Sequence, residues 1–174
     1  MRDVRHETER LILRHYRLED FENHYRLCAD PDVMRYLLGG KPLSRFEAWR
    51  HMAYLVGHRE LLGYGYYAVE EKDTGRFVGR IGFTNPEGWP GFELGWTIAP
   101  EFQGRGYATE GGRFLLNYAF HEMDKPHVIS VIHPDNKPSI RVAERLGETL
   151  EGKTNVEGIP FLIYGIDRPA DSKR

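Results

Sequence analysis

An anion-binding loop is indicated at residues 102–110, whose sequence is Phe-Gln-Gly-Arg-Gly-Tyr-Ala-Thr-Glu. The loop lies between an alternating strand pattern at 91–99 and an apolar pattern with helical spacing. Gly104 and Gly106 let the backbone approach a ligand closely, and the first turn of the helix has N–H groups without intrahelical partners. Because the helix dipole adds positive potential there, the turn favours a phosphate or pyrophosphate, with Arg105 as a further charge.

The glycines alone do not identify the ligand, because an ordinary strand-to-helix turn also uses glycine for steric reasons. The phosphate-binding loop Gly-x-x-x-x-Gly-Lys-Ser/Thr is excluded, since no lysine and hydroxyl follow Gly106. The dinucleotide fingerprint Gly-x-Gly-x-x-Gly is also excluded, since its third glycine position holds Thr109.

The loop does fit the pattern Gln/Arg-x-x-Gly-x-Gly/Ala, through Gln103, Gly106 and Ala108. This pattern resembles the acetyl-coenzyme A pyrophosphate loop of the GNAT superfamily of N-acetyltransferases. Asn136-x-x-Ser139 and Leu146-Gly147 follow downstream, as in the branch containing the N-terminal alanine and serine acetyltransferases of ribosomal proteins. The resemblance covers most of the chain and implies acetyl-coenzyme A as the cofactor.

In that family the pantetheine arm lies between two splayed strands, and a backbone N–H polarises the thioester carbonyl. The resemblance implies cofactor contacts from Trp96, Thr97, Ile98, Gln103, Gly104, Arg105, Gly106, Tyr107, Ala108, Thr109, Asn136 and Ser139. From the sequence alone, Asn136 could equally cap a helix that has Ser139 in its first turn. Lys137 and Arg141 could reach the coenzyme phosphates or be solvated surface charges.

Glu93 and Ser139 are the candidate catalytic residues. An alkylammonium has a pKa of about 10 in water, so attack at neutral pH requires a base or a proton-carrying water chain. Glu93 lies on the strand that enters the loop and is the candidate base. Its alternative role is that of an exposed carboxylate paired with a neighbouring Arg or Lys.

Two positions depart from the family pattern. Many members carry a tyrosine that protonates the leaving thiolate, where this chain has Ala143. Either Ser139 replaces it, or no protein acid is needed because the coenzyme thiol is a fairly good leaving group. Glu148 stands where an aromatic residue usually follows Leu-Gly, which leaves the packing of the closing strands open.

Periodicity places these residues in an α/β (α+β) fold. Strands are predicted at about 10–16, 63–69, 76–83, 91–98, 127–132, 148–153 and 161–167, and helices at about 20–29, 45–60, 106–120 and 136–146. The helix at 106–120 joins two strands that must then be locally parallel. We interpret the aromatic stripe of the helix at 45–60 as core. The expected architecture is a mixed, mostly antiparallel seven-stranded sheet with helices on both faces, which is also the GNAT-like acyl-CoA N-acyltransferase fold.

Composition limits the remaining classes of function. The 174 residues suit one domain, 1–174, with a core at about 8–167 and a tail at 168–174. A formal net charge of -2 argues against general nucleic-acid binding. Cys28 is the only cysteine and the eight histidines lack metal-ligand spacing, so we expect no disulfide and no metal. Without a signal peptide or membrane span, the chain is predicted to be cytoplasmic.

Two functions remain: an acetyl-coenzyme A dependent N-acetyltransferase acting on a primary amine, or a coenzyme A-binding sensor without turnover. The amine could be a protein N-terminus or a small amine, amino acid or antibiotic. Residues 30–41, the helix at 45–60 and the loop at 156–160 are its expected walls. Convergence of Glu87, Glu93 and Glu157 would favour a polyamine or aminoglycoside. A homodimer is common in the family.

Overall fold

A computed structural model describes residues 5–37 and 39–170. Its strands are β1 (Arg5–Glu7), β2 (Leu11–Arg14), β3 (Tyr66–Glu71), β4 (Phe77–Thr84), β5 (Glu93–Ile98), β6 (His127–Ile132), β7 (Thr149–Val156) and β8 (Ile159–Asp167). They form one sheet in the order β1-β2-β3-β4-β5-β6-β8-β7. All neighbouring strands are antiparallel except β5 and β6, which are parallel.

The predicted mixed, mostly antiparallel α/β architecture is confirmed, but the predicted count of seven strands is wrong, because the sheet has eight. The additional strand is β1, whose sequence Arg-His-Glu has no alternation of apolar and polar residues. It pairs with β2 in the register Arg5↔Arg14. Backbone hydrogen bonds define such an edge strand, and a pattern of side chains does not reveal it.

The α-helices of the described residues are α1 (Phe21–Ala29), α2 (Pro31–Met34), α3 (Arg45–Leu62), α4 (Tyr107–His121) and α5 (Lys137–Leu146). None of them is long and apolar enough to cross a membrane.

Residues at spacings of three and four on α3 are buried, namely Ala48, Met52, Leu55 and His58. The predicted core stripe is therefore mostly wrong: Phe46 and Trp49 are 69% and 44% exposed, because α3 is covered on one side only.

Helices cover both faces of the sheet, as predicted. On one face α4 lies close to β4, since a Cβ on Gly111 would fall 2.5 Å from Cδ1 of Ile81. On the other face Arg80 of β4 contacts His51 of α3. Because side chains alternate along a strand, neighbouring residues of β4 face the helices on the two sides of the sheet. Glycine at position 111 is thus what lets α4 pack closely against β4.

The parallel pair β5 and β6 separates after a short contact. Its register contains the single pair Glu93↔Ile129, next to a hydrogen bond from Ile129 N to Phe92 O of 3.0 Å. Beyond this residue pair, side-chain hydrogen bonds replace the backbone hydrogen bonds between the two strands. Ser130 Oγ, for example, donates to Leu94 O at 2.8 Å. The two strands therefore leave a gap toward their C-terminal ends, next to the start of α4.

Candidate active site

The loop before α4 has the conformation that its glycines predict. Gly104 and Gly106 have φ values of +76° and +83°, in the left-handed region that favours glycine. Gly106 is the N-cap of α4, and no side chain caps this helix end. The first N–H groups of α4 are therefore available to an anion from outside the chain, and the helix dipole adds positive potential.

The loop is held in place by the N-terminal part of the chain. Glu110 in the first turn of α4 accepts hydrogen bonds from the backbone N and Nε of Arg10, at 2.8 and 2.7 Å. Nη1 of Arg10 donates to the carbonyl of Arg105 at 3.0 Å. Glu110 thus has a structural role, and it fixes the glycine turn against β2.

Beside this loop lies a cavity of about 590 Å³, which we call the coenzyme cavity. Its wall contains most of the expected cofactor residues: Trp96, Thr97, Ile98, Gln103, Gly104, Gly106, Tyr107, Ala108, Thr109, Asn136 and Ser139. Arg105 is not in this wall, and its Nη1 lies 3.7 Å from Oε1 of Glu71. Arg141 and Arg145 of α5 do line the cavity. Arg145 was missed, although it follows Arg141 by one helical turn.

The edge of β5 faces the gap with free backbone groups. Ala99 N donates to Val78 O of the neighbouring segment at 2.8 Å, so the alternate residues Trp96 and Ile98 direct their N–H groups to the opposite side. That side is the gap between β5 and β6. The Gln103 side chain donates from Nε2 to Ile98 O at 2.9 Å and fixes the end of this edge.

Asn136 and Ser139 lie where the two strands diverge. Asn136 Oδ1 accepts a hydrogen bond from Ser139 N at 3.3 Å and so caps α5. Both residues also line the coenzyme cavity. The two roles considered for Asn136 are therefore compatible. Lys137 is not in either cavity wall, and its Nζ donates to Pro134 O at 2.8 Å.

A second cavity, of about 310 Å³, lies on the α3 side of the sheet and is called here the aromatic cavity. Six aromatic side chains line it: Tyr36, Tyr54, Tyr66, Trp89, Trp96 and Phe161. Its only carboxylate among the described residues is Glu93. Glu87 and Glu157 are exposed and do not line it, so the three acids do not converge. Trp96, Thr97, Asn136 and Ser139 belong to the walls of both cavities, which therefore meet there.

Glu93 is only 7% exposed and faces the aromatic cavity. Its Oε2 accepts a hydrogen bond from Trp89 Nε1 at 2.6 Å, and its Oε1 accepts one from Val131 N at 3.3 Å. Burial raises the pKa of Glu93 to about 7, against these two hydrogen bonds, which lower it. No Arg or Lys of the described residues pairs with it, so the carboxylate can gain or lose a proton near neutral pH.

Glu148 is a second buried carboxyl group behind Glu93, and the sequence offered no role for it. It is 3% exposed, and its Oε1 lies 3.0 Å from Oγ of Ser130. Ser130 has one hydroxyl proton and donates it to Leu94 O. The hydrogen bond between Ser130 and Glu148 therefore needs a protonated Glu148 as its donor. Burial, together with the charge of Glu93, raises the pKa of Glu148 to about 8. Glu148 thus occupies, as a neutral acid, the position after Leu-Gly where the family usually has an aromatic residue.

Glu148→Gln is expected to raise the melting temperature above about pH 8 and to change it little near pH 4.5. Between the usual pKa of 4.5 and about 8, the folded state retains a proton that the unfolded state releases. This contribution to stability is therefore complete below pH 4.5 and is lost as the pH rises through about 8. Glutamine carries no titrating proton. Melting curves of both proteins at several pH values test this, and a constant difference across the range would contradict it.

The geometry agrees with the relatives of this chain. The model of the acetyltransferase (GNAT) domain family matches residues 10–149. The uncharacterized N-acetyltransferase YnaD of Bacillus subtilis is 30% identical over 145 residues, which make up 83% of this chain and 82% of that protein. The crystal structure of an acetyltransferase from Agrobacterium tumefaciens has a TM-score of 0.85 and 28% identity, and the match covers 97% of this chain and 96% of that one.

Ribosomal-protein acetyltransferases share the fold. RimL, a ribosomal L7/L12 alpha-N-protein acetyltransferase solved in complex with coenzyme A, has a TM-score of 0.78 at 20% identity. The match covers 94% of this chain and 97% of that one, and at this identity it is a likeness of fold. The family model, by contrast, spans β2 to β6, the glycine loop and α1 to α5, which carry every residue described in the two cavity walls except Phe161. The chain therefore belongs to the GNAT acetyltransferase family and is an N-acetyltransferase that uses acetyl-coenzyme A.

Proposed function

We propose that the chain acetylates a primary amine by direct attack in a ternary complex, with the coenzyme in the coenzyme cavity and the amine in the aromatic cavity. One observation carries this proposal: the two cavities share the wall formed by Trp96, Thr97, Asn136 and Ser139. On one side of that wall are the free N–H groups of α4, and on the other is Glu93. An anionic donor and an amine acceptor can therefore meet without a covalent enzyme intermediate.

The residues of the coenzyme cavity suit a pyrophosphate followed by an extended arm. The uncapped N-terminus of α4 binds the pyrophosphate, with Arg141 and Arg145 as cations. Trp96 and Ile98 present backbone N–H groups to an arm lying in the gap of the sheet. Acetyl-coenzyme A supplies an acetyl group activated as a thioester. The Trp96 N–H then donates to the carbonyl oxygen as negative charge develops on it.

Glu93 removes the proton that prevents an ammonium group from attacking. Trp89 and Val131 orient its two oxygens, and its pKa of about 7 suits proton transfer at neutral pH. The amine nitrogen then bonds to the acetyl carbon while the carbon–sulfur bond breaks. As the amide forms, the nitrogen loses its second proton. Ser139 in the shared wall is placed to donate its hydroxyl proton to the sulfur and to accept that second proton, since Ala143 has no acidic proton. Glu93 and Ser139 are thus the proposed catalytic pair.

The test is thiol release from acetyl-coenzyme A across a panel of amines, with coenzyme binding measured in parallel by calorimetry. The panel contains N-terminal peptides, polyamines, amino acids and aminoglycosides. We expect coenzyme binding and amine-dependent release on at least one class. Coenzyme binding without turnover on any class would oppose amine acetylation, and absence of binding would oppose the whole assignment of the coenzyme cavity.

Some features stay predictions from the sequence. A single catalytic domain at about 8–167, a cytoplasmic location and a homodimer are compatible with the fold but are not tested by it. The acceptor could be a protein N-terminus or a small amine. The volume of the aromatic cavity, about 310 Å³, favours a small amine.

A further inference from the structure

Arg80 is a buried cation for which the described residues provide no counter-ion. The residue is 5% exposed and lines the aromatic cavity. Its Nη1 lies 3.3 Å from His51 Nδ1 and 3.8 Å from Cys28 Sγ, whereas Nε has no hydrogen-bond partner among the described residues. Within the same residues, no carboxylate forms an ion pair with it. A buried charge left unpaired in this way is costly unless a ligand pairs with it.

The groups around Arg80 do not supply the missing negative charge. Burial, together with the positive charge of Arg80, lowers the pKa of His24 to about 3 and that of His51 to about 2. Burial also raises the pKa of the Cys28 thiol. All three groups are therefore neutral at physiological pH. The surroundings of Arg80 thus lack an anion and would accept one.

A metal ion is a poor alternative at this place. The donor atoms of His24, Cys28 and His51 lie within 4.8 Å of one another, which is close enough for a shared ion. However, His24 Nε2 and His51 Nδ1 are 3.0 Å apart and hydrogen-bonded to each other. The guanidinium beside them would also repel a cation. The guanidinium of Arg80 that repels a metal cation would attract an anion.

The position of Arg80 relative to Glu93 defines what the ligand must be. In the register of β4 and β5, Arg80 faces Thr97 while Glu93 faces Thr84, so the two charged residues share one sheet face. They are separated by four residues, or about 13 Å along the strands. Tyr66 lies between them, with its hydroxyl so near β5 that a Cβ on Gly95 would meet it at 2.0 Å. The cavity is thus positive at one end, acidic at the other and aromatic between.

We propose that the acceptor is a small amine that also carries a carboxylate and an aromatic or large apolar body, with its carboxylate bound by Arg80. This rests on the proposed function, since it names the substrate of the same site. Arg80 lines the aromatic cavity, so its guanidinium can donate hydrogen bonds to a carboxylate bound there. The rings of Tyr54, Tyr66 and Trp89 pack on the body of the molecule, and its amine lies toward Glu93, at the end of the cavity opposite Arg80. A polyamine does not fit, because Arg80 repels a second cation.

The experiment compares aromatic amines in matched pairs with and without a carboxylate at the end remote from the amine, for example 4-(2-aminoethyl)benzoic acid against phenethylamine and 4-(2-aminoethyl)benzamide. Phenylalanine places the carboxylate beside the amine, and a tripeptide amide with phenylalanine at its N-terminus lacks the carboxylate. We expect kcat/KM to be roughly 10- to 100-fold higher for the carboxylate-bearing member, as for hydrogen bonds to charged groups. In Arg80→Gln this preference should disappear while turnover of phenethylamine remains. Arg50→Gln, which changes an exposed arginine of α3 outside the cavity, is the control and should keep the preference.

The outcomes separate this inference from the proposed function. Coenzyme binding with turnover of several amines and no preference for the carboxylate in the wild type would overturn the inference alone, without relying on any variant. A preference that persists in Arg80→Gln would overturn it as well. Failure of coenzyme binding, or of turnover on every amine, would overturn the proposed function and the inference together.

Discussion

Gly106→Val is expected to weaken coenzyme A binding by roughly 10- to 100-fold, which corresponds to losing one or two hydrogen bonds to a charged group. Gly106 has a φ of +83°, and a β-branched residue strongly disfavours this conformation. Valine would therefore shift the turn and redirect the N–H groups that begin α4. A Cβ at this position meets nothing closer than 3.5 Å, so the change acts through backbone conformation and not through a clash.

Gly158→Val is the matched control for this prediction. Gly158 has a φ of +86°, and a Cβ there meets nothing within 4 Å, but the residue lies in the β7–β8 turn outside both cavities. Both variants should lose about 1–2 kcal/mol of unfolding free energy from the left-handed conformation. Calorimetric titration with coenzyme A should show weaker binding for Gly106→Val only. Equal affinity in the two variants would remove the loop as the phosphate site.

Glu93→Gln is expected to lower kcat by roughly 10²- to 10⁴-fold at neutral pH, the usual contribution of a general base. Glutamine keeps the shape and can still accept a hydrogen bond from Trp89, but it cannot take a proton from an ammonium group. The wild-type rate should rise with pH through the pKa of about 7, because the carboxylate form is the active one. In the variant, the rate should instead rise at higher pH, as the amine substrate loses its proton without a base. The difference in rate between the two proteins should therefore shrink at high pH.

Glu87→Gln provides the comparison, since Glu87 is exposed and lines neither cavity. Its rate and pH profile should match the wild type. The measurement is kcat against pH for the three proteins with one amine, together with melting curves to show that all are folded. A constant ratio between wild type and Glu93→Gln at every pH would mean that Glu93 is not the base.

Local patterns made much of the fold and of the coenzyme cavity predictable. The glycine turn, the crossover helix α4 and the parallel strand β6 are encoded within about 40 consecutive residues, where periodicity and glycine positions are informative. The segment from β5 to β6 carries half of the residues that line the coenzyme cavity. At the start of α3, Ser44 and Glu47 have the spacing of a capping box and form one through mutual hydrogen bonds.

The acceptor side was less predictable because it is assembled from distant segments. Arg80 meets His51 and Cys28, which are 29 and 52 residues away in the sequence. Nothing local marks Arg80 as lacking a counter-ion, since that property depends on every element around it. Glu148 was noted only as a departure from the family pattern. Its contact with Ser130 depends on β6, which lies on a separate part of the chain.

The most direct test of amine acetylation is to quantify free thiol and acetylated amine in the same reaction, with acetyl-coenzyme A and an amine bearing a carboxylate. We expect that the two products form in equal amounts, that neither forms without the amine, and that the protein itself carries no acetyl group by intact mass. Thiol release that is independent of the amine, or an acetylated protein that turns over, would contradict direct transfer at the wall shared by the two cavities.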